Sequence, residues 1–435
     1  MRDYFGQAKS LVRPSLWIIS AYVRAALSGW AMPPGGLIDL RKKEFRDRRY
    51  LYKRGQLSNN IFKALQSRRL IICLTDLDSS RRLLSTQADN LRADSIVLTM
   101  LFPKGLLRNL EGLDHKYYRH SLVKALDLST DQQDEECSRI INHWLQQHAS
   151  SFPNNASTPE ELTTTLSKIS TALLIQMYFG VRFGTRDFDA LMTLFYNLGP
   201  DGLIWTIDVN QRKSFEKICL FLRSRQTFAR PCVMQGVVED DGLDDVALGN
   251  LIYMVEMGRY DLHSLFRWLL KYASENPEIM QQISKEESGT TQRSMGLAQA
   301  FVLETLRLDQ SERLIRVVQN DFVFDGYFFP KHAYVRLCLW EAHKSEENFP
   351  EAFAFNPQRF IENNYGIDVF APFGLDKHRC PMANPVIQLG ALLVRNLAKD
   401  YKVKAMTQSS ENRGLFHWQP GADFSVGIYE RCSRE

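Results

Sequence analysis

Apolar residues recur at helical spacing over roughly 78–88, 114–127, 131–149, 159–178, 185–197, 211–228, 243–275, 293–308 and 383–399. A chain patterned with that period buries its apolar faces helix against helix. Period-two stretches are few and short, at about 70–74, 322–339 and 402–406. Phe322 to Leu339 reads as two strands around Asp325-Gly326, a dipeptide suited to a tight hairpin. The expectation is a mainly α fold with a small β-rich lobe. At 435 residues the chain exceeds the usual domain length, yet no linker, repeat or low-complexity tract divides it, and 44% apolar content supports a sizeable core. Residues 1–40 read as an N-terminal arm and 41–435 as a single domain.

The net charge of +4 is small for this size, and the basic residues are scattered except from Arg41-Lys42-Lys43 to Arg49, which reads as a solvated helix face. Nucleic-acid binding is therefore not expected. Cys73, Cys137, Cys219, Cys232, Cys338, Cys380 and Cys432 are odd in number and widely spaced, with no CxxC pair. That argues against a disulfide framework or a zinc site and for a reducing, cytoplasmic compartment. The apolar run Pro14 to Val23 is bracketed by Arg13 and Arg24, about ten residues against the roughly twenty that a spanning helix requires. It reads as a docked surface helix. The alternative is a helix in a membrane interface, with Trp17, Tyr22 and Trp30 at headgroup depth and Pro33-Pro34-Gly35-Gly36 as a hinge. Membrane contact is at most peripheral in either case.

Cys380 stands in the stretch Pro372-Phe373-Gly374-Leu375-Asp376-Lys377-His378-Arg379-Cys380-Pro381. An aromatic ring, a glycine and basic side chains just before the thiol describe a turn that presents sulfur beneath a flat anionic ligand, because cations and backbone N–H donors favour the thiolate. Glu304-x-x-Arg307 puts an acid and a guanidinium on one side of a helix. Phe355-Asn356-Pro357-Gln358-Arg359-Phe360 follows it, and His115-Lys116-Tyr117-Tyr118-Arg119 stands far upstream. In this order, with Glu304 76 positions before Cys380, the four stretches resemble those of the cytochrome P450 family of haem-thiolate proteins. The Cys loop matches the family pattern Phe-x-x-Gly-x-[His/Arg]-x-Cys-x-Gly in part, and Arg359 stands where an arginine of the family completes the Glu/Arg cluster.

The resemblance implies haem b (iron protoporphyrin IX) as cofactor, with Cys380 as its axial thiolate and metal ligand. Phe373 would pack on the thiolate side of the porphyrin. His115, Arg119, Arg316 and His378 match positions that contact the two propionates, where cationic or hydrogen-bonding side chains suit carboxylates. Arg313, close before Arg316, is an alternative for that place. Two departures mark the loop. Asp376 replaces a family glycine, a mild exchange because Asp tolerates left-handed backbone. Met382 replaces a small residue where helix and cofactor pack closely. The expectation is that haem still binds, in an altered loop.

The largest departure lies in the long helix over 243–275. Counted back from Trp268 and Asn276-Pro277-Glu278, the family pattern [Ala/Gly]-Gly-x-[Asp/Glu]-Thr falls on Met257-Gly258-Arg259-Tyr260-Asp261. Tyr260 then replaces the acid and Asp261 the alcohol, and a one-residue slip restores Asp261 as the acid but puts Leu262 at the alcohol. In the family these two groups relay protons. Tyr253, Glu256, Met257 and Asp261, with Arg259 beside them, are expected on the helix face that looks onto the haem. Asp261, Glu256 and Tyr260 are the catalytic candidates, as general acids and bases or as receivers of a cationic substrate. The competing expectation for Glu256 is a sideways ion pair with a neighbouring basic residue.

Three readings follow. The first is an oxidoreductase of monooxygenase type, acting on a small organic molecule in specialised metabolism, with non-standard proton delivery and electrons from a separate ferredoxin or flavoprotein reductase. The second is an enzyme of the same fold that avoids dioxygen activation: a peroxygenase, isomerase or dehydratase. The third, ranked last, is a non-catalytic haem or ligand binder. The segments expected to line the substrate pocket, roughly 90–108, 195–210 and 411–418, hold apolar residues such as Leu101, Phe102, Leu106 and Trp205.

Overall fold

The structure, a computed structural model, describes residues 14–66, 68–93, 106–107, 110–126, 131–151, 157–199, 208–225, 228, 231–286, 295–311, 313–375, 377–407, 411–414 and 417–431. In chain order its helices are α1 (Pro14–Ser28), α2 (Leu40–Arg46), α3 (Tyr50–Gln56), α4 (Leu77–Thr86), α5 (Gly112–Leu126), α6 (Asp131–Ser151), α7 (Pro159–Phe179), α8 (Arg186–Leu198), α9 (Val209–Ser224), α10 (Val233–Asp241), α11 (Asp245–Glu275), α12 (Pro277–Ser284), α13 (Leu297–Leu308), α14 (Leu339–Ala342), α15 (Gln358–Glu362) and α16 (Ala383–Asp400). The strands are β1 (Ile61–Gln66), β2 (Arg69–Leu74), β3 (Leu91–Ala93), β4 (Arg313–Val318), β5 (Phe322–Phe324), β6 (Tyr327–Phe329), β7 (Tyr334–Cys338), β8 (Tyr401–Ala405), β9 (Glu411–Arg413), β10 (Trp418–Pro420) and β11 (Val426–Glu430). The fold is mainly α with a small β-rich part.

Two helices form the spine. α7 starts on a capping box, in which Glu161 N–H donates to Thr158 Oγ1 and the Thr158 N–H donates back to Glu161 Oε2, a device worth about 1 kcal/mol. It ends at Gly180 in the left-handed region. From Ser170 to Phe179 every side chain is buried, so this half of α7 is enclosed on all sides and runs through the core. α11 packs along it. Gly258 permits the approach, since a Cβ there would lie 3.2 Å from Leu174 Cδ1. α13 and α16 pack on each other and on α11, and fully buried Trp268 of α11 donates Nε1–H to the Trp418 carbonyl at 3.0 Å.

A five-stranded sheet runs in the order β1-β2-β7-β4-β3, with only β2 and β7 parallel. β5 and β6 make the expected hairpin, turning at Asp325 (φ 48°) and Gly326 (φ 76°). The stretch Phe322 to Leu339 holds three strands, however, rather than two. Pro330 has no N–H to continue the ladder, His332 turns left-handed (φ 69°), and β7 then joins the larger sheet between β2 and β4.

All nine helices expected from periodicity are present, as α4 to α9, α11, α13 and α16. The expectation for 293–308 opens in residues outside those described, and the helix runs from Leu297. α1 buries Ala21 and Ala25 and packs Trp17 against the β5–β6 side, while Leu16, Ile19, Val23 and Leu27 stay exposed. Arg24 pairs with Asp321 at 2.6 Å. The Pro33–Gly36 segment is no free hinge: the Lys63 N–H donates to the Pro34 carbonyl at 2.8 Å, and the Lys63 ammonium donates to the Pro33 carbonyl. Among the described residues no helix is long and apolar enough to cross a membrane.

Candidate functional site

The loop before α16 is fixed at both ends. His343 takes the Ala371 N–H on Nε2 at 3.0 Å and meets Ser311 Oγ with Nδ1 at 2.7 Å. Burial above all, then Lys344 and Arg307, holds His343 well below its ordinary pKa, so the ring is neutral and its Nδ1 carries the proton. Gly374 sits at φ 103°, where a Cβ would also come within 3.4 Å of the Arg379 Cα. The Cys380 N–H then donates to the Phe373 carbonyl at 2.9 Å. Cys380 is left partly exposed three residues before the first residue of α16, in the positive field of that helix start. Asp376 lies outside the described residues. Met382 is the N-cap residue of α16 and is buried in the core, so its bulk is accommodated.

Cys380, Phe373 and Met382 line one wall of a cavity, and α11 lines another with Tyr253, Met254, Met257, Gly258, Asp261 and Leu262. Those six positions fall on one helical stripe. Glu256, 3 and 5 positions from Arg259 and Asp261, faces away from it. Its side chain is fully buried against Arg259, whose Nη2 lies 2.9 Å from Oε1 and 3.0 Å from Oε2 and also donates to the Phe195 carbonyl at 3.0 Å. Burial, opposed by Arg259, pushes the Glu256 carboxyl up to about 7. The structure thus parts the three catalytic candidates. Asp261 faces the cavity, Glu256 takes the sideways ion pair, and Tyr260 is absent from the cavity lining, its ring 5.7 Å from that of His417.

His115, Arg119, Arg316, His378 and Arg379 all reach the same cavity. α5 carries the first two, and β4 carries Arg316 opposite Ala93 of β3. The His115 and His378 rings lie 4.7 Å apart. At their edge Glu111 takes Lys377 at 2.6 Å; burial alone would raise its pKa, but Lys377 and the two histidines hold it below the ordinary carboxylate value. Arg316 lines the cavity; the side chain of Arg313, the alternative to it, is outside the described residues.

Behind the loop, Arg307 donates Nε–H and Nη2–H to Glu304 at 2.7 and 2.8 Å, and further protons to the carbonyls of His343, Ala352 and Ala354. Arg359 reaches Glu304 Oε1 at 3.2 Å. The cluster is buried, with partners at each end, which is the condition under which a buried ion pair can hold a fold together.

Sequence reasoning missed one member of the site. His417, buried just before β10, places Nε2 3.1 Å from Asp261 Oδ1, and Gln310 donates to the Asp261 carbonyl at 2.6 Å. Residues 411–418 were expected to line the pocket, but no local pattern pairs a histidine with a carboxylate 156 positions away. Of the other expected lining, Leu107 and Ala93 reach the cavity, whereas Leu101, Phe102 and Trp205 lie outside the described residues.

A sulfur on one wall, an apolar helix stripe facing it and cations along one edge fit a flat macrocycle with two carboxylates, bound through iron to Cys380. Comparison with known proteins agrees. The family model described as cytochrome P450 matches residues 264–383. Abscisic acid 8'-hydroxylase 2 of Arabidopsis thaliana is 30% identical over 159 residues, 32% of each chain. Ent-kaurenoic acid oxidase of Oryza sativa subsp. japonica is 28% identical over 193 residues, 41% of this chain and 38% of the relative. The chain spans about a third of the length of the curated relatives it matches. Among solved structures, retinoic acid-bound cyanobacterial CYP120A1 superposes with a TM-score of 0.69 at 17% identity, over 92% of this chain and 100% of the other. A zebra fish cytochrome P450 with progesterone gives 0.70 at 14%, over 88% and 99%. The fold is that of the cytochrome P450 structures, and the family-model match over residues 264–383 and the cysteine-centred cavity agree with it.

Proposed function

We propose that this protein is a haem-thiolate oxidoreductase of monooxygenase type that oxidises a small organic molecule in specialised metabolism, with electrons from a separate ferredoxin or flavoprotein reductase. The observation that carries the reading is that Cys380, the α11 stripe and the basic residues His115, Arg119, Arg316, His378 and Arg379 line one cavity. Haem bound there supplies the oxidising chemistry, and the chain's own residues do the rest. Cys380 holds the iron, His115, Arg119, Arg316 and His378 hold the carboxylates, and Phe373 packs beside the sulfur. Met254, Met257, Leu174 and Leu262 exclude water and present an apolar wall to the substrate. Asp261 is the protonatable group on that wall.

The test is the reduced carbon-monoxide difference spectrum of the purified protein and of Cys380→His. A thiolate-type band in the wild type, abolished in the variant, is expected; the same band in both would refute the ligand assignment.

A second reading, an enzyme that works without dioxygen activation, is favoured by the α11 stripe itself, whose six cavity-lining residues include no serine or threonine. Turnover with peroxide but not with reductant and air would select it. We read residues 1–40 as an arm and 41–435 as one haem domain, in a cytoplasmic protein. The exposed Leu16, Ile19, Val23 and Leu27 of α1 support peripheral contact with a membrane surface.

A further inference from the structure

The Asp261 carboxylate is nearly half exposed, its side chain at 46%, yet it has a built partner on another element. His417 comes from the position just before β10, at 3% exposure, and both of its ring nitrogens face oxygens. Nε2 is 3.1 Å from Asp261 Oδ1, and Nδ1 is 3.1 Å from the Trp418 carbonyl, with Ser264 Oγ further off at 3.5 Å. A carbonyl only accepts, so Nδ1 carries a proton. A carboxylate that is still partly hydrated also accepts, so Nε2 carries one too. The ring is then an imidazolium with both N–H groups satisfied, and its charge cancels that of Asp261. Gln310, two residues past the end of α13, holds the Asp261 backbone, and Tyr260 flanks the imidazole. Of the other ionisable groups in the cavity besides His417, His115, Arg119, Arg316, His378 and Arg379 are basic and Tyr253 and Cys380 are a phenol and a thiol, so Asp261 is the one carboxylate among its described lining residues.

We infer that His417 and Asp261 form one ion-paired unit on the cavity wall, in which His417 is the positioning residue that orients the carboxylate and cancels its charge. The inference rests on reading this cavity as the haem and substrate site, and it adds two things to that reading. First, the cavity is built for neutral ligands, because the carboxylate that would have attracted a cation is already compensated. Second, Asp261 Oδ2, which accepts no hydrogen bond among the described residues, can take a proton from a hydroxyl or water in the cavity and return it. The carboxyl is neutral in between, and the imidazolium keeps both ring protons throughout. This occupies the stretch of α11 where the family has its acid and alcohol, with a partner drawn from the β9–β10 hairpin instead of from the helix.

The experiment uses the full-length, haem-loaded protein in its reduced, carbon monoxide-bound form, with isotope-labelled histidine. There are nine histidines, few enough for His417→Gln to identify the His417 ring signals by their loss. Protons on both His417 ring nitrogens are expected at neutral pH, with the Nε2 proton lost in Asp261→Asn. A bare Nε2 in the wild type, or a spectrum unchanged by Asp261→Asn, would overturn the inference. Calorimetric binding of benzyltrimethylammonium gives a second readout, which packing damage alone would not produce. His417→Phe keeps a ring in place and strands the carboxylate, so this cation should bind about tenfold more tightly than to wild type, the scale of one screened unit charge. Adding Asp261→Asn should cancel the gain, and equal binding by wild type and His417→Phe would count against charge compensation. Failure of the parent reading shows up separately, as wild-type protein that takes up no haem or lacks the thiolate-type carbonyl band.

Discussion

Arg48, between α2 and α3, is the side chain whose loss should travel furthest. Its guanidinium donates to Asp309 Oδ1 at 2.5 Å, lies 2.6 Å from Glu411 Oε2, and sits over the rings of Trp340 and Trp418 at 4.5 and 4.9 Å. Arg48→Met keeps most of the stem volume and removes the charge. Asp309, whose side chain is only 3% exposed, then keeps the Tyr272 hydroxyl but loses its cation. Breaking such a buried pair from one side costs about 3–5 kcal/mol. The two ring faces add about 0.5–1 kcal/mol each, whereas Glu411, at 37% exposed, adds about 0–1 kcal/mol. The expected loss is about 4–8 kcal/mol, read as a lower urea midpoint at unchanged slope. Most of that figure is the stranded carboxylate, so Asp309→Asn placed on top of Arg48→Met should restore part of the loss. A loss below about 1 kcal/mol, or a double variant that is no better than the single one, would refute the reasoning.

Two further outcomes are expected. The Glu256 carboxyl is raised from its ordinary 4.5 to about 7 by burial, so the folded state holds its proton more tightly than the unfolded state does; stability should fall as pH rises between those values, by on the order of 3 kcal/mol, and level off above. Glu256→Gln should flatten that slope in urea titrations run across this window, and an unchanged slope would place the titrating group elsewhere. Gly374→Ala forces a Cβ onto φ 103°, a strain of about 1–3 kcal/mol, and should speed haem loss to an acceptor protein while leaving the α-helical circular dichroism intact; haem retention equal to wild type would show that the loop adapts.

The helices were legible because their apolar period repeats over many residues, as in α7 and α11, where no local alternative competes. Short elements were not. α2, α3, α14 and α15 have 4 to 7 residues each, too few to nucleate alone, so they exist through tertiary contacts that no sequence window contains. The site divides the same way. Cys380, Glu304 and Arg307 sit in motifs whose spacing is local, whereas the direction of Glu256 depends on a choice between Arg259 and the cavity that burial decides. His417 was invisible for a stronger reason: its partner is on another element, and only the seating of β9 and β10 against α11 brings them together.

That seating returns the argument to Arg48. Glu411 stands on β9, opposite Pro420 of β10, and Trp418, the first residue of β10, follows His417. One guanidinium therefore clasps both strands of the hairpin to Asp309, while Trp268 holds the Trp418 carbonyl from α11. None of these groups lines the cavity. If His417 compensates Asp261 only while the hairpin is seated, Arg48→Met should do more than lower stability. It should raise the affinity for benzyltrimethylammonium toward that of His417→Phe, while the Cys380 thiolate band stays in place, because the Cys loop is anchored separately through His343 and the Glu304 cluster. Hydrogen exchange at the β9–β10 amides should quicken in the same variant. Unchanged exchange and cation binding in a destabilised Arg48→Met would show that the hairpin holds its place without the clasp, and that the charge pair is secured by α11 alone.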